Sequence, residues 1–146
     1  MRMQQARRLF KTYRGFRKDG ETVIEVTTRQ PDGAERTEAL DPRVDLWNHS
    51  PAGFEWGYGG SGPTQLALAL LADHLNAPSE DRRDATAEKA IALHQQFKFA
   101  VVSGLDPLSW SLTTEEIEAS VRAITVRNRV DAGRLAVHSA EVTARL

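Results

Sequence analysis

The stretch QLALALLADHL over residues 65–75 constrains this chain more than any other segment, because only Gln65, Asp73 and His74 in it are polar. A helix that is apolar on every side is stable only if other elements cover every side. The rest of the chain must therefore wrap it. Pro63 suits the first turn of such a helix, where its missing N–H costs nothing. The 146 residues amount to one domain, and at that size roughly two thirds of the extended chain's surface can be buried. A hydrophobic share of 40%, a charged share of 27% and a mean hydropathy of -0.45 describe a globular chain rather than a disordered one. The longest apolar run, residues 66–72, falls far short of the roughly 20 residues that span a bilayer, so no membrane partner is expected. No apolar segment of signal-peptide length follows Arg7 and Arg8, which points to the cytoplasm. The absence of cysteine excludes disulfides, thiolate metal sites and cysteine nucleophiles.

The first third reads as strands. Thr22, Ile24, Val26 and Thr28 alternate with Val23, Glu25, Thr27 and Arg29, a period of two that sends successive side chains to opposite faces. Asp19-Gly20 before it and Pro31-Asp32-Gly33 after it are tight-turn sequences. Residues 10–16 and 34–40 can then pair on either side, giving a three-stranded meander. In Phe54-Glu55-Trp56-Gly57-Tyr58 three aromatics at alternate positions predict a further short strand, with Glu55 on the opposite face.

Beyond residue 63 the pattern becomes helical. Residues 76–84 form a loop, and a second helix over 85–103 carries Ala90, Leu93, Phe97 and Val101 on one face before Gly104 and Pro107 end it. Thr113 and Glu116 predict a capping box, with Leu112 and Ile117 as the staple that brackets it. The third helix follows with Ile117, Val121 and Ile124 as its inner stripe, and residues 130–146 continue helical despite Gly133. The expected fold is α+β: a small antiparallel meander of three to four strands packed against three to four helices, with a buried central helix after a glycine-rich loop. It is a single domain over 1–146, with a flexible basic leader (1–9), a core (10–126) and a C-terminal helical extension (127–146).

The net charge of -1 conceals a sorted distribution. Residues 1–18 hold seven basic groups (Arg2, Arg7, Arg8, Lys11, Arg14, Arg17, Lys18) and no acid, residues 19–118 carry a net -11, and residues 119–146 carry +3. Phe10, Tyr13 and Phe16 interleave with these N-terminal cations, a pairing of phosphate-neutralising charge and stacking rings used on single-stranded nucleic acid. Arg7, Arg8, Lys11, Tyr13, Arg14, Arg17 and Lys18 are accordingly candidates for contact with nucleic acid or a partner. The same charges can equally be solvation and protection of an edge strand.

Gly57-Tyr58-Gly59-Gly60-Ser61-Gly62-Pro63 places four glycines in six positions directly before a helix, where converging backbone N–H groups can hold an anion. Gly57, Gly59, Gly60, Ser61 and Gly62, with Glu55 beside them, are the candidate ligand residues, and a phosphorylated small molecule or nucleotide is the ligand class. The string lacks the Lys-Ser/Thr pair of a P-loop, and Pro63 stands where a nucleophile elbow needs glycine. Glycines there also serve the close packing of a strand against a buried helix. Glu55, set between two aromatics, requires a partner such as Arg14, the glycine-loop amides or a ligand. His49, Asp73, His74 and His94 form no recognised ligand or catalytic pattern, so no metal, cofactor or catalytic residue is assigned.

The string from His49 to Leu71, HSPAGFEWGYGGSGPTQLALALL, resembles that of an uncharacterised domain-of-unknown-function family of short proteins from bacterial, plasmid and phage genomes. Tyr13-Arg14-Gly15, Phe97-Lys98, Val101-Val102, Trp110, Leu112-Thr113 and Glu116-Ile117 extend the resemblance over about residues 13–121. It implies no activity and no catalytic residue, only that the glycine loop is a signature. The expectation that follows is a non-enzymatic interaction protein of mobile elements that binds a host protein or nucleoprotein complex, for instance in defence. The C-terminal helices offer a route to a homodimer.

Overall fold

The computed structural model describes residues 9–144. Three strands open the chain: β1 (Lys11–Lys18), β2 (Glu21–Arg29) and β3 (Glu35–Ala39). Asp19 and Gly20 both have positive φ, 51° and 81°, the conformation of the two-residue turn whose twist matches a right-handed hairpin. It sets Lys18 opposite Glu21 and propagates the register to Lys11 opposite Thr28. β2 also pairs with β3, as the meander requires.

The sheet has a fourth strand, and it is not the aromatic segment. Residues 54–58 form an irregular loop: Gly53 and Gly57 take φ of 106° and 85°, which breaks a pleat at both ends. Trp56 is buried while Tyr58 is exposed, so the three aromatics do not share a face. The fourth strand is instead β4 (Trp110–Thr113), which joins the free side of β1 and gives the order β3-β2-β1-β4. β1 is thus an interior strand, not an edge.

One face of this sheet is apolar. Tyr13 stands between Val26 and Leu112 in one row, and Gly15 between Ile24 and Trp110 in the next. The Trp110 indole lies across Gly15, where an added Cβ would come within 2.3 Å of the ring; no other residue fits there. The opposite face carries Arg14, Glu25 and Ser111 in register.

The helix α1 (Ser61–His74) is buried over nearly its whole length, with Leu66, Leu68, Leu70 and Leu71 fully inaccessible. Each such leucine contributes on the order of 1.5–3 kcal/mol relative to exposure. α2 (Ala85–Ala100) packs along it through Ala87, Ala90, Leu93 and Phe97, and Asp84 caps its start by accepting from the Thr86 and Ala87 N–H groups. The helical run predicted to residue 103 breaks at Val101 and continues as a short 3₁₀ turn, Val102–Gly104. A second such turn, Glu80–Arg82, lies in the loop before α2.

α3 (Thr114–Ala144) is one continuous helix. Its capping box forms as read: the Glu116 N–H donates to Thr113 Oγ1 at 3.2 Å and the Thr113 N–H to Glu116 Oε1 at 3.4 Å. Ile117, Val121 and Ile124 are its buried residues, and from Arg129 to Ala144 every residue is exposed. Thr114 Oγ1 accepts from the Lys11 N–H and donates to the Lys11 carbonyl, tying the starts of β1 and α3 together. Among the described residues, no helix is long and apolar enough to cross a membrane.

Candidate functional site

The polar residue at the head of the apolar helix organises the site. Gln65 is fully buried. Its side-chain carbonyl accepts from the backbone N–H of His49 and of Ser50, and its amide donates to the carbonyls of Pro42 and Trp47. One α1 side chain thus holds an otherwise irregular loop, residues 42–50, by four hydrogen bonds.

So held, His49 meets His94 of α2 with their Nε2 atoms 3.0 Å apart. His94 Nδ1 lies against the Ile91 carbonyl, which can only accept, so Nδ1 carries the proton and His49 Nε2–H donates to His94 Nε2 when both rings are neutral. Burial, with smaller contributions from the His94 and Lys98 charges, holds the His49 imidazole below its ordinary range. Burial likewise lowers His94, with Lys98 adding to it and the Ile91 hydrogen bond opposing. Trp47 stacks on His49 at 4.6 Å between ring centres. Lys98, one turn beyond His94, is buried and sets its ammonium 4.2 Å from the centre of the Phe99 ring.

The glycine loop sits against the same end of α2. The Gly57 N–H donates to the Val102 carbonyl at 3.1 Å, and Gly59 lies beside the Phe99 ring. An added Cβ on Gly62 would stand 2.7 Å from that of Glu55, and one on Gly60 2.8 Å from the Tyr58 ring, so close packing accounts for both. Glu55 finds its partner in Arg17 rather than Arg14, through two hydrogen bonds at 3.3 and 3.0 Å. The same guanidinium covers the Trp56 ring at 4.6 Å and donates to the Pro107 carbonyl. Trp56 donates to the Asp106 carbonyl. Glu21 and Glu55 line the depression that Ser61 and Gly62 share, so the potential there is not that of a phosphate cradle.

The N-terminal candidates are divided by the fold. Lys11 pairs with Asp73 at 3.0 Å and the Tyr13 hydroxyl donates to the same carboxylate at 2.5 Å. Arg17 is engaged by Glu55. Arg14 and Lys18 are exposed, and Arg7 and Arg8 lie outside the described residues. The adjacent Asp73 and His74 point two ways: Asp73 meets β1, and His74 meets Glu118 of α3 at 2.6 Å. Among the described residues, no group of three or more metal-ligating side chains converges.

Three rings around this site stand open to solvent. Trp47 is 50%, Tyr58 52% and Phe99 67% exposed. A path of contacts runs from Trp47 through His49, His94 and Lys98 to Phe99 and Gly59, with Tyr58 next in the chain. Sequence reasoning singled out none of Trp47, Gln65, Lys98 or Phe99 as site residues. The available signal was Gln65, a polar residue at a position where an all-round apolar helix demands a purpose.

The structure is a small α+β domain with exposed rings on its glycine loop, on the loop that precedes His49 and at the end of α2. The chain belongs to a family of unknown function, DUF6166, whose model matches residues 13–123. Neither the curated proteins nor the solved structures contain a significant match.

Proposed function

We propose that the domain is a non-enzymatic interaction module that docks a protein partner on the patch of Trp47, Tyr58 and Phe99. The observation that supports it is the exposure of three large rings, Trp47 on a loop held by the buried Gln65, Tyr58 on the glycine loop and Phe99 at the end of α2. Exposed aromatics on a preorganised scaffold, with a cation among them, match the composition of interface hot spots, and rigidity before binding lowers the ordering cost. The charged side chains a chemical step would need are engaged elsewhere: Asp73 by Lys11 and Tyr13, Glu55 by Arg17. The Lys98 ammonium, set against the Phe99 ring, suits a partner segment that carries a carboxylate among apolar residues. The phage and plasmid distribution implied by the sequence resemblance favours a host defence or replication complex as the source, by association only. Two copies joined through their C-terminal helices would present two such patches and gain avidity.

The test is native mass spectrometry of tagged protein recovered gently from a host lysate, wild type beside Trp47→Ser/Phe99→Ser. A stoichiometric protein companion on the wild type, lost from a variant with unchanged circular dichroism, is the expected result. A companion retained by the variant removes the patch from the account. One destroyed by nuclease makes the rings a stacking platform for single-stranded nucleic acid, and a small added mass alone shifts the weight to the glycine loop.

A further inference from the structure

The outer face of α3 carries an uninterrupted apolar seam. Ala119, Ala123, Val126, Val130, Gly133, Val137, Ala140 and Ala144 recur at alternating spacings of four and three, and all of them are exposed. Val126, Val130 and Val137 are 54%, 47% and 59% accessible. The seam lies opposite the face that presents Ile117, Val121 and Ile124 to the body, a face continued beyond it by Leu135 and Val142. Four valines and a glycine after residue 125 are poor helix formers, and beyond Asn128, which pairs with Gln96, every residue of the helix is exposed to solvent. Helical segments of that length are marginal unless packing supports them.

We propose that this face is the interface of a homodimer in which two copies of α3 pair antiparallel about a two-fold axis passing between residues 134 and 136. Alternating spacings of four and three place the seam residues at the core positions of a two-helix coil. With the axis at that point each large side chain meets a small one: Val126 faces the partner's Ala144, Val130 the partner's Ala140, and Val137 the partner's Gly133. Each pair occurs twice by symmetry. The shallow surface hollow around Gly133, bordered by Val130 and Val137, is the cup that receives the facing valine; apart from the adjoining helix backbone and its two neighbours in sequence, no described atom lies within 4 Å of a Cβ placed there.

The flanking charges select the same arrangement. Antiparallel pairing sets Arg127 beside the partner's Glu141 on both ends of the interface, against a single Arg134 pair at the centre. A parallel pair would instead put Arg122 beside the partner's Arg127 and Arg129 beside the partner's Arg134, each twice, and would leave Gly133 facing the partner's Gly133 across a void. Shifting the antiparallel register by one heptad towards the N-terminus replaces the attractive pairs with Arg127 against the partner's Arg134. Size complementarity and charge therefore converge on one register, independently of what docks on the aromatic patch.

Sedimentation equilibrium on the full chain tests this. The wild type is expected to be a dimer and Val130→Asp a monomer that keeps the cooperative unfolding transition of the body while losing helical signal from the end of α3. Arg127→Glu and Glu141→Arg are each expected to weaken the dimer by about tenfold, two exposed attractions being exchanged for repulsions, while the double variant recovers most of the loss. Orientation is read by mild oxidation of single-cysteine variants, since the chain has no cysteine of its own: Ala136→Cys, next to the axis, is expected to cross-link, and Val130→Cys is not. Cross-linking at 130 with none at 136 overturns the antiparallel register. A wild type that stays monomeric up to high micromolar concentration overturns the dimer.

Discussion

Gln65 carries more of the architecture than any single leucine around it, because its four hydrogen bonds tie both ends of an irregular loop to the buried helix. Replacing it with leucine preserves volume but orphans two N–H groups and two carbonyls in the interior. At about 1–3 kcal/mol per unsatisfied buried group, Gln65→Leu is expected to cost roughly 3 kcal/mol or more, measured as a fall in the urea midpoint; a change below about 1 kcal/mol would show that water replaces the amide. The imidazole pair that this loop completes makes stability pH-dependent. Both His49 and His94 are held below their ordinary value of 6.5, so the unfolded chain takes up protons before the folded one does. Stability is therefore full above that value and falls as pH drops below it, until the folded rings protonate. The expected signature is a melting temperature that declines from pH 7.5 to pH 5 more steeply in the wild type than in His49→Asn/His94→Gln. Parallel slopes would mean that other groups govern the decline.

At the scale of elements, α3 begins where its start signal says. Thr113→Ala removes the hydroxyl that accepts from the Glu116 N–H, and the expected loss is about 1 kcal/mol, read from denaturant unfolding monitored at 222 nm. The same residue explains why β4 escaped notice. Trp110–Thr113 is only four residues long and ends inside the capping box, so its period-two pattern is too short to separate from the helix start. The aromatic segment at 54–58 erred the other way. Its alternation is genuine, but the positive φ of Gly57 turns the chain before Tyr58 can join Trp56 on one side. Period and turn chemistry were enough for β1 to β3, α1 and α2, since each couples a local signal to burial. The site was less legible, because Trp47, His49 and His94 gain meaning only when Gln65 reaches across the chain to gather them. The apolar pattern of residues 130–146 looks broken when read for one stripe and resolves when two faces are allowed.

Over the whole molecule, the sorted charge is spent partly inside the fold. Lys11 and Arg17 hold Asp73 and Glu55, whereas Arg14 and Lys18 face water. Lys11→Gln/Arg17→Gln is therefore expected to destabilise by about 1–2 kcal/mol, a modest figure because both pairs are partly solvated, while Arg14→Gln/Lys18→Gln, which removes two exposed cations, shifts the urea midpoint much less. Equal effects of the two double variants would mean that net charge rather than pairing is responsible.

The position of β1 also governs how the chain is born. Its second neighbour, β4, lies more than seventy residues downstream of the meander, with both large helices in between. During synthesis at about 5–20 residues per second, the ribosome needs on the order of 4–15 s to travel from the end of β3 to the end of β4. For that interval the nascent hairpin displays an open backbone edge next to Tyr13 and Gly15, the kind of edge onto which other chains add. Expression conditions that slow elongation lengthen the exposure, and the vulnerable moment is the one before Trp110 arrives rather than any stage of the finished fold.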